Sequence, residues 1–328
     1  MMELSGGVRG RLSRHLSRFA RPSIRPLTVE DTEGLQDILR SAPVAHLFAL
    51  EQYHRVGLPT PSLLTRARGS SPFIGIFDPT AGAPRLAGAL WFGSNLVPLR
   101  VPSAHRSAAA GYILATGREI SSIFGLSEEV LSLWEHLRGD CPVPFDLRPE
   151  QPLLELGGSA GARHRSTLQL LGRMIHQGRV PLREAGIGSV RWARPAETGV
   201  YQRAAAAMFT EEVGYSPMTR DPEGYARRVA EGIRQGRCLL ALSETGEVVF
   251  KTDLGLRAES SCQLQGVWLH PRLRGRGLAA PLLAQACRLI TARDQRVSLY
   301  VNAYNSPARA LYRRLGFEQV GTFATVLF

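Results

Sequence analysis

Apolar positions recur along this chain with the period of strands in some stretches and of helices in others, and the opening of the first half recurs at the start of the second. SIRPLTV (23–29) reads as a strand. EDTEGLQDILR, with acids in its first turn that complement the helix dipole, reads as a helix, and VAHLFALEQYHRVG as a second one. PFIGIFD and RLAGALWFG are strands divided by the turn signal PTAGAP. A helix over AAAGYILATGREI, a strand at SSIFG and a helix over SEEVLSLWEHLRG with Ser127 as N-cap follow. FDLRPEQPLLEL is a last extended segment of this half.

Residues 158–187 are rich in Gly, Arg and His, with one apolar patch at LQLLGRMI, and are expected to connect two domains. SVRWARPAETGVYQRAAAAMF then repeats the opening of the first half: a strand with Arg, then Pro, an acid and a helix. The loop TEEVGYSPM, the helix GYARRVAEGIRQG and the strands RCLLALS and EVVFKTDLG come next. CQLQGVWL is a strand, and Leu278, Leu282, Ala286, Leu289 and Ile290 mark one face of the helix after it. RVSLYVN, the helix SPARALYRRLG and paired short strands FEQVG and FATVLF end the chain. The order is an α/β plan around a central sheet. The expected domains are a basic tail over 1–22, a first domain over 23–157, the connection over 158–187 and a second domain over 188–328.

The 328 residues suffice for two domains. Lys+Arg 40 against Asp+Glu 28 gives a formal net charge of +12, which suits a polyanionic partner, whether nucleic acid, membrane surface or phosphorylated cofactor. In the tail, Arg9, Arg11, Arg14, Arg18 and Arg21 are interleaved with Leu12, Leu16 and Phe19, which fits either a frayed solvated tail or a basic arm. Cys141, Cys238, Cys262 and Cys287 form no C-x-x-C pair and have no His at metal spacing, so neither a metal site nor a disulfide framework is expected. No apolar run reaches the length of a membrane span and the first residues lack the apolar core of a signal peptide, so a cytoplasmic protein is expected.

Between CQLQGVWL and the helix after it lies HPRLRGRG, a turn that joins a strand to a helix start. Free N–H groups at a helix N-terminus bind anions. Gly275 and Gly277 let backbone approach a ligand, and Arg272, Arg274 and Arg276 add charge. A P-loop would need Lys-Ser or Lys-Thr here, and none follows. Gly275, Gly277 and Ala280 satisfy G-x-G-x-x-A, but the acid that a dinucleotide fingerprint needs at the end of the next strand is missing from LYVNAYNS.

RLRGRG resembles the Q/R-x-x-G-x-G/A signature of the GNAT superfamily of acyl-CoA-dependent N-acetyltransferases, with Arg272, Gly275 and Gly277 at its positions. VNAYNSPARALYRRLGFEQVG is similar to a later motif of that superfamily. The resemblance covers about 188–328. The first half resembles the degenerate partner domain of bacterial tandem proteins, with SSIFGLSEEV as the counterpart of the turn. Tandem acetyltransferase-like domains are therefore expected, each a mixed sheet flanked by helices, the second a GNAT fold.

The resemblance implies acetyl-CoA as acyl donor, its pyrophosphate on the N–H groups from Arg274 through Gly275, Arg276, Gly277 and Leu278 to Ala279, and its pantetheine arm along Val267, Trp268 and Leu269. Asn302 and Asn305 would bond the pantetheine amides, although Asn305 fits a turn before a Ser-Pro helix start equally well. Tyr312 would protonate the departing thiolate. The Leu269 N–H would polarise the thioester carbonyl. The Glu that many relatives carry on the central strand is absent, which leaves Glu211, Glu212, Asp253, Glu259 or solvent as base. Glu211 and Glu212 could attract a cationic amine beside an apolar wall at Tyr215, or be merely solvated. The implied activity is transfer of acetyl to a primary amine of a small molecule or protein. The alternatives are a catalytically silent CoA-binding sensor or scaffold protein and, for want of any nucleic-acid motif, more remotely a nucleic-acid binder.

Overall fold

The structure, a computed structural model, describes residues 22–61, 71–78, 84–158, 164–219, 221–293 and 296–328. The arginine-rich tail lies outside them, apart from Pro22. The chain divides into two compact units, one running to Gln151 and joined by Thr322–Phe328, the other Pro152–Gly321.

In the first unit Ser23–Pro26 (β1), Phe73–Asp78 (β2), Arg85–Phe92 (β3) and Asn95–Leu99 (β4) pair antiparallel in succession. Thr32–Ser41 (α1) and Leu47–Val56 (α2) lie between β1 and β2 in the chain. The helix Arg106–Ala115 (α3) crosses from β4 to Ser122–Leu126 (β5), which runs parallel to β4. The helix Ser127–Leu137 (α4) follows at once, and β5 pairs antiparallel with residues 323–327 at the end of the chain. Strand alternation sends Ile74, Ile76, Leu90, Phe92, Leu96 and Ile123 into one core with α3 and α4. The strand β4 escapes the sequence pattern because Pro98 sits in it. It is tolerated because Pro98 lies beyond the last rung with β5, Leu96↔Ile123.

In the second unit the end of Asp146–Leu156 (β6) leads to His164–Glu184 (α5). The segment expected as connection is thus a helix of 21 residues. Its Leu171, Met174 and Leu182 are buried in the core, and Gly178 lets it lie against Pro281, which an added Cβ would meet at 2.1 Å. Arg191–Trp192 (β7), Thr198–Val213 (α6), Pro222–Arg234 (α7), Cys238–Leu242 (β8), Val248–Ala258 (β9) and Ser261–Leu269 (β10) follow, the four strands antiparallel neighbours. Ala279–Thr291 (α8) crosses to Arg296–Tyr300 (β11), parallel to β10. Ser306–Arg314 (α9) precedes Phe317–Leu327 (β12), one strand of 11 residues where two short ones were expected. In β8, Leu239 and Ala241 face a core shared with α5 and α8, while Cys238 and Leu240 face a second core with α6 and α7.

The sequence repeat at the start of each half has a structural counterpart. The Arg25 guanidinium donates twice to Asp31, both at 2.8 Å, and Asp31 also accepts from the Thr28 N–H. Arg191 donates to Glu197 at 2.8 and 2.5 Å, and Glu197 accepts from the Arg194 N–H. Each clamp fixes the passage from first strand to first helix by a two-pronged ion pair. The strand plan repeats too. In both units four antiparallel strands are followed by a helical crossover to a parallel strand. This places β4 and α3, not SSIFGLSEEV, as the counterpart of β10 and α8, because SSIFG is the strand reached after the crossover.

Candidate active site

The parallel pair β10–β11 holds for three rungs, Ser261↔Arg296, Cys262↔Val297 and Gln263↔Ser298, and then parts. On its other side β10 stays with β9, with one extra residue between Gln265 and Trp268. This bulge centres on Gly266, at φ +58°. The His270 N–H donates to the Val249 carbonyl on β9 at 2.9 Å. Successive N–H groups of a strand point to opposite sides, so the Leu269 N–H points away from β9, toward the gap. The parted strands expose the backbone of Val267 and Leu269, while the Trp268 side chain is buried in the core with α6 and α7.

At the end of β10 the turn tightens. The Leu273 and Arg274 N–H groups bond back to His270 and Pro271. The next four, on Gly275, Arg276, Gly277 and Leu278, donate to nothing among the described residues. Gly275 and Gly277 have φ +74° and +73°, and a Cβ on either would meet no atom within 4 Å. The Leu278 side chain is buried and Ala279 begins α8, so the free donors gather at a helix start facing open space.

The three arginines differ. Arg272 pairs with Glu247 and its N–H leans on His270 Nδ1. Arg274 donates through Nε to the Leu269 carbonyl at 3.0 Å and through Nη2 to Glu211 at 2.6 Å. Arg276 is exposed and has no ionic partner among the described residues.

Glu211 and Glu212 lie in the last turn of α6 rather than in a loop, where a carboxylate opposes the helix dipole. Glu211 is compensated: it accepts from the Trp268 indole N–H at 3.2 Å and from Arg274. It ties α6 to the strand and the turn. Glu212 is exposed, and Tyr215 stands 52% exposed beyond the helix, edge-on to Phe209. Tyr312 is buried on α9 against Phe317, yet its hydroxyl bonds to nothing among the described residues. Burial, with the charge of Glu212 behind it, pushes its pKa up. Asn305 caps α9, accepting from the Ala308 N–H at 3.2 Å, and Asn302 donates to the Tyr304 hydroxyl.

One group is missing from the sequence-derived set. Lys251, 1% exposed on β9, contacts Asp253 at 2.5 Å, and Asp253 also accepts from the Tyr201 hydroxyl at 2.6 Å. The pair lies under the bulge: a Cβ on Gly266 would sit 2.8 Å from Lys251 Nζ. A Lys and an Asp two apart in the apolar strand VVFKTDL, on one face by the period of two, were the available signal. Among the described residues no group of His, Cys, Asp or Glu could hold a metal ion, and no helix is long and apolar enough to cross a membrane.

Residues 253–326 match the FR47-like protein family, and residues 76–171 match a domain of unknown function, DUF4081. The chain is 26% identical over 308 residues to the mycothiol acetyltransferase of Beutenbergia cavernae, across 89% of this chain and 92% of that protein. An acetyltransferase of the GNAT family from Colwellia psychrerythraea superposes with a TM-score of 0.51 at 10% identity, over 93% of this chain and 99% of its own. A Drosophila protein does so at 0.52 and 13% identity, over 93% and 98%. The two structural likenesses are likenesses of fold across both units. The stretch that matches the FR47-like family contains the strand gap, the glycine turn and Tyr312 together.

Proposed function

We propose that the second unit is a GNAT domain that transfers the acetyl group of acetyl-CoA to a primary amine by direct attack within a ternary complex. The observation that carries this is the run of four unpaired N–H groups from Gly275 to Leu278, opening beside a strand that has parted from its neighbour. A pyrophosphate supplies oxygens for those donors, and the glycines leave room for it. Arg276 adds the uncommitted charge; Arg272 and Arg274, already paired, shape the turn. The pantetheine arm takes the backbone edge of Val267 to Leu269, with Asn302 and Asn305 at the far side of the gap.

The amine nitrogen attacks the thioester carbonyl carbon, whose oxygen is polarised by the Leu269 N–H. The C–S bond breaks as the C–N bond forms. The thiolate takes the Tyr312 proton, which is regained from solvent, and the acceptor ammonium gives up one proton before attack and a second from the new amide nitrogen. Asp253 is the carboxylate at the bulge, side chain 23% exposed and held by Lys251 and Tyr201. It receives the first acceptor proton through water. Glu212 and Tyr215 line the approach for a cationic, partly apolar amine. The relative named mycothiol acetyltransferase favours a small-molecule acceptor over a protein terminus.

Thiol release from acetyl-CoA over a library of primary amines tests this, with Tyr312→Phe as control. Amine-dependent release that falls by about 10²-fold or more in the variant, at unchanged acetyl-CoA affinity, is expected. Binding without release for any amine would leave a silent CoA-binding protein instead.

A further inference from the structure

The first unit has its own parted strand pair, and its filling is of a different kind. β4 and β5 share two rungs, Asn95↔Ser122 and Leu96↔Ile123, before they separate. The connection to the crossover helix is six residues, Arg100–His105, with no glycine and with a proline at 102 that lacks an N–H. Pro98 removes a further donor from the strand edge itself. A pantetheine chain and a pyrophosphate would find neither the backbone edge nor the row of free donors present after β10.

What the first unit has is a carboxylate. The N–H groups of Arg100 and Val101, the first two after β4, donate to the two oxygens of Glu129 at 3.2 and 3.1 Å. Glu129 is in the first turn of α4, which follows β5 directly, so it reaches across the parted strands; it is 9% exposed. Arg100 has φ +57°, one of only two non-glycine described residues at positive φ. That left-handed backbone is strained for a residue with a Cβ, and it turns two successive N–H groups onto one carboxylate. The buried Arg106 closes the arrangement, donating to the Val101 carbonyl at 3.2 Å and to Glu128 at 3.1 Å. Around them is a cleft of ≈ 420 Å³ with Arg85, Arg100, Arg106 and Ser103 on its walls, together with Asp78 and Glu128, which pair with His105 and Arg106.

We propose that Glu129 is a resident anion in the cofactor cleft of the first unit. Its carboxylate occupies a two-donor anion site at the end of β4, so this unit takes up no acyl-CoA, and each chain binds one. Removal of the carboxylate converts the place into a site for a phosphate group, because the Arg100 and Val101 N–H donors are left facing a cleft that Arg85 and Arg100 line, while Arg106 stays bound to Glu128.

Two measurements on the full chain test this, and only the first rests on the acetyl-CoA reading of the GNAT domain. Calorimetry with acetyl-CoA gives one site in the wild type and none in Gly277→Glu. Two sites in the wild type, or one remaining in Gly277→Glu, overturn the proposal. No binding by the wild type removes the acetyl-CoA reading and leaves the second measurement to decide. In that one, inorganic phosphate is titrated against chloride at equal ionic strength. In the Gly277→Glu background, where the anion turn of the second unit is blocked, phosphate raises the melting temperature saturably once Glu129→Ala is added and leaves Gly277→Glu alone unmoved; no rise in the double variant, or an equal rise in both, overturns it. If the alanine variant does not fold, Glu129→Gln keeps the shape without the charge. Amide exchange at Arg100 and Val101 then speeds up by at least tenfold, and unchanged exchange refutes a charge-held site.

Discussion

Gly266→Ala and Gly277→Ala add the same methyl group to two residues of positive φ, and their costs should differ by an amount the structure sets. At Gly277, φ +73°, the methyl meets nothing within 4 Å, so the left-handed backbone is the whole cost, about 1–2 kcal/mol. At Gly266, φ +58°, the same backbone cost applies, and the methyl also lands 2.8 Å from Lys251 Nζ, 3.1 Å from Asp253 Oδ2 and 3.1 Å from the Met208 methyl. A flexible lysine would normally swing aside. This one is 1% exposed and bound to Asp253 at 2.5 Å, so it cannot leave without breaking a buried pair. Overpacking of this kind adds about 1–3 kcal/mol. Gly266→Ala should therefore cost about 2–5 kcal/mol in total, and exceed Gly277→Ala by about 1–3 kcal/mol. Urea unfolding followed by far-UV circular dichroism, with each unit allowed its own transition, measures both. Equal losses in the two variants would refute the claim that the bulge is packed onto the Lys251–Asp253 pair.

Arg276→Ala should weaken acetyl-CoA binding by about 0.2–1 kcal/mol, more at low salt, and Arg272→Ala by less, because Arg272 already faces Glu247; calorimetry at two salt concentrations separates them. Burial raises the Tyr312 pKa, so the protonated phenol persists to higher pH than an ordinary tyrosine, and the pH–rate profile should show no alkaline loss from this group up to about pH 10. The paired Arg191 holds Glu197 below the usual carboxylate range, so its contribution to stability is present above the unfolded pKa and lost as pH falls through the lower folded value. Glu197→Gln should accordingly cost about 1 kcal/mol at pH 7, after allowance for the part-exposed arginine, and the gap from wild type in denaturant midpoints should narrow below about pH 4.

The helical and strand periods in the sequence were sufficient to place most elements of both units, because nearly every strand here has one or both faces in a core. The exceptions have physical causes. β4 is hidden by Pro98, which is acceptable only because its neighbour has already turned away. α5 is hidden by its Gly and Arg content; what holds it helical is burial of Leu171, Met174 and Leu182, a tertiary effect that local composition does not record. The last turn of α6 reads as loop because two acids at a helix C-terminus are unfavourable in isolation. Only the fold brings Arg274 and Trp268 to Glu211.

The site was legible to a similar degree. RLRGRG announces an anion turn, and the two glycines do take the left-handed conformation that only glycine adopts freely. The sequence gives three equivalent-looking arginines; the structure separates two committed ones from Arg276. Lys251 looked like an interruption of a strand, since nothing local says that a charge two residues on will neutralise it in the core. Glu129 passed as an ordinary first-turn acid, and its bonds to Arg100 and Val101 span 29 and 28 residues of sequence.

The most direct test of the cofactor seat is isothermal calorimetry of acetyl-CoA with wild type and Gly277→Glu side by side, with circular dichroism to establish that both are folded. A carboxylate on the open side of Gly277 blocks and repels a pyrophosphate, so binding by the wild type and none by the variant is the expected result. Equal affinity in the two would contradict a cofactor held on this turn.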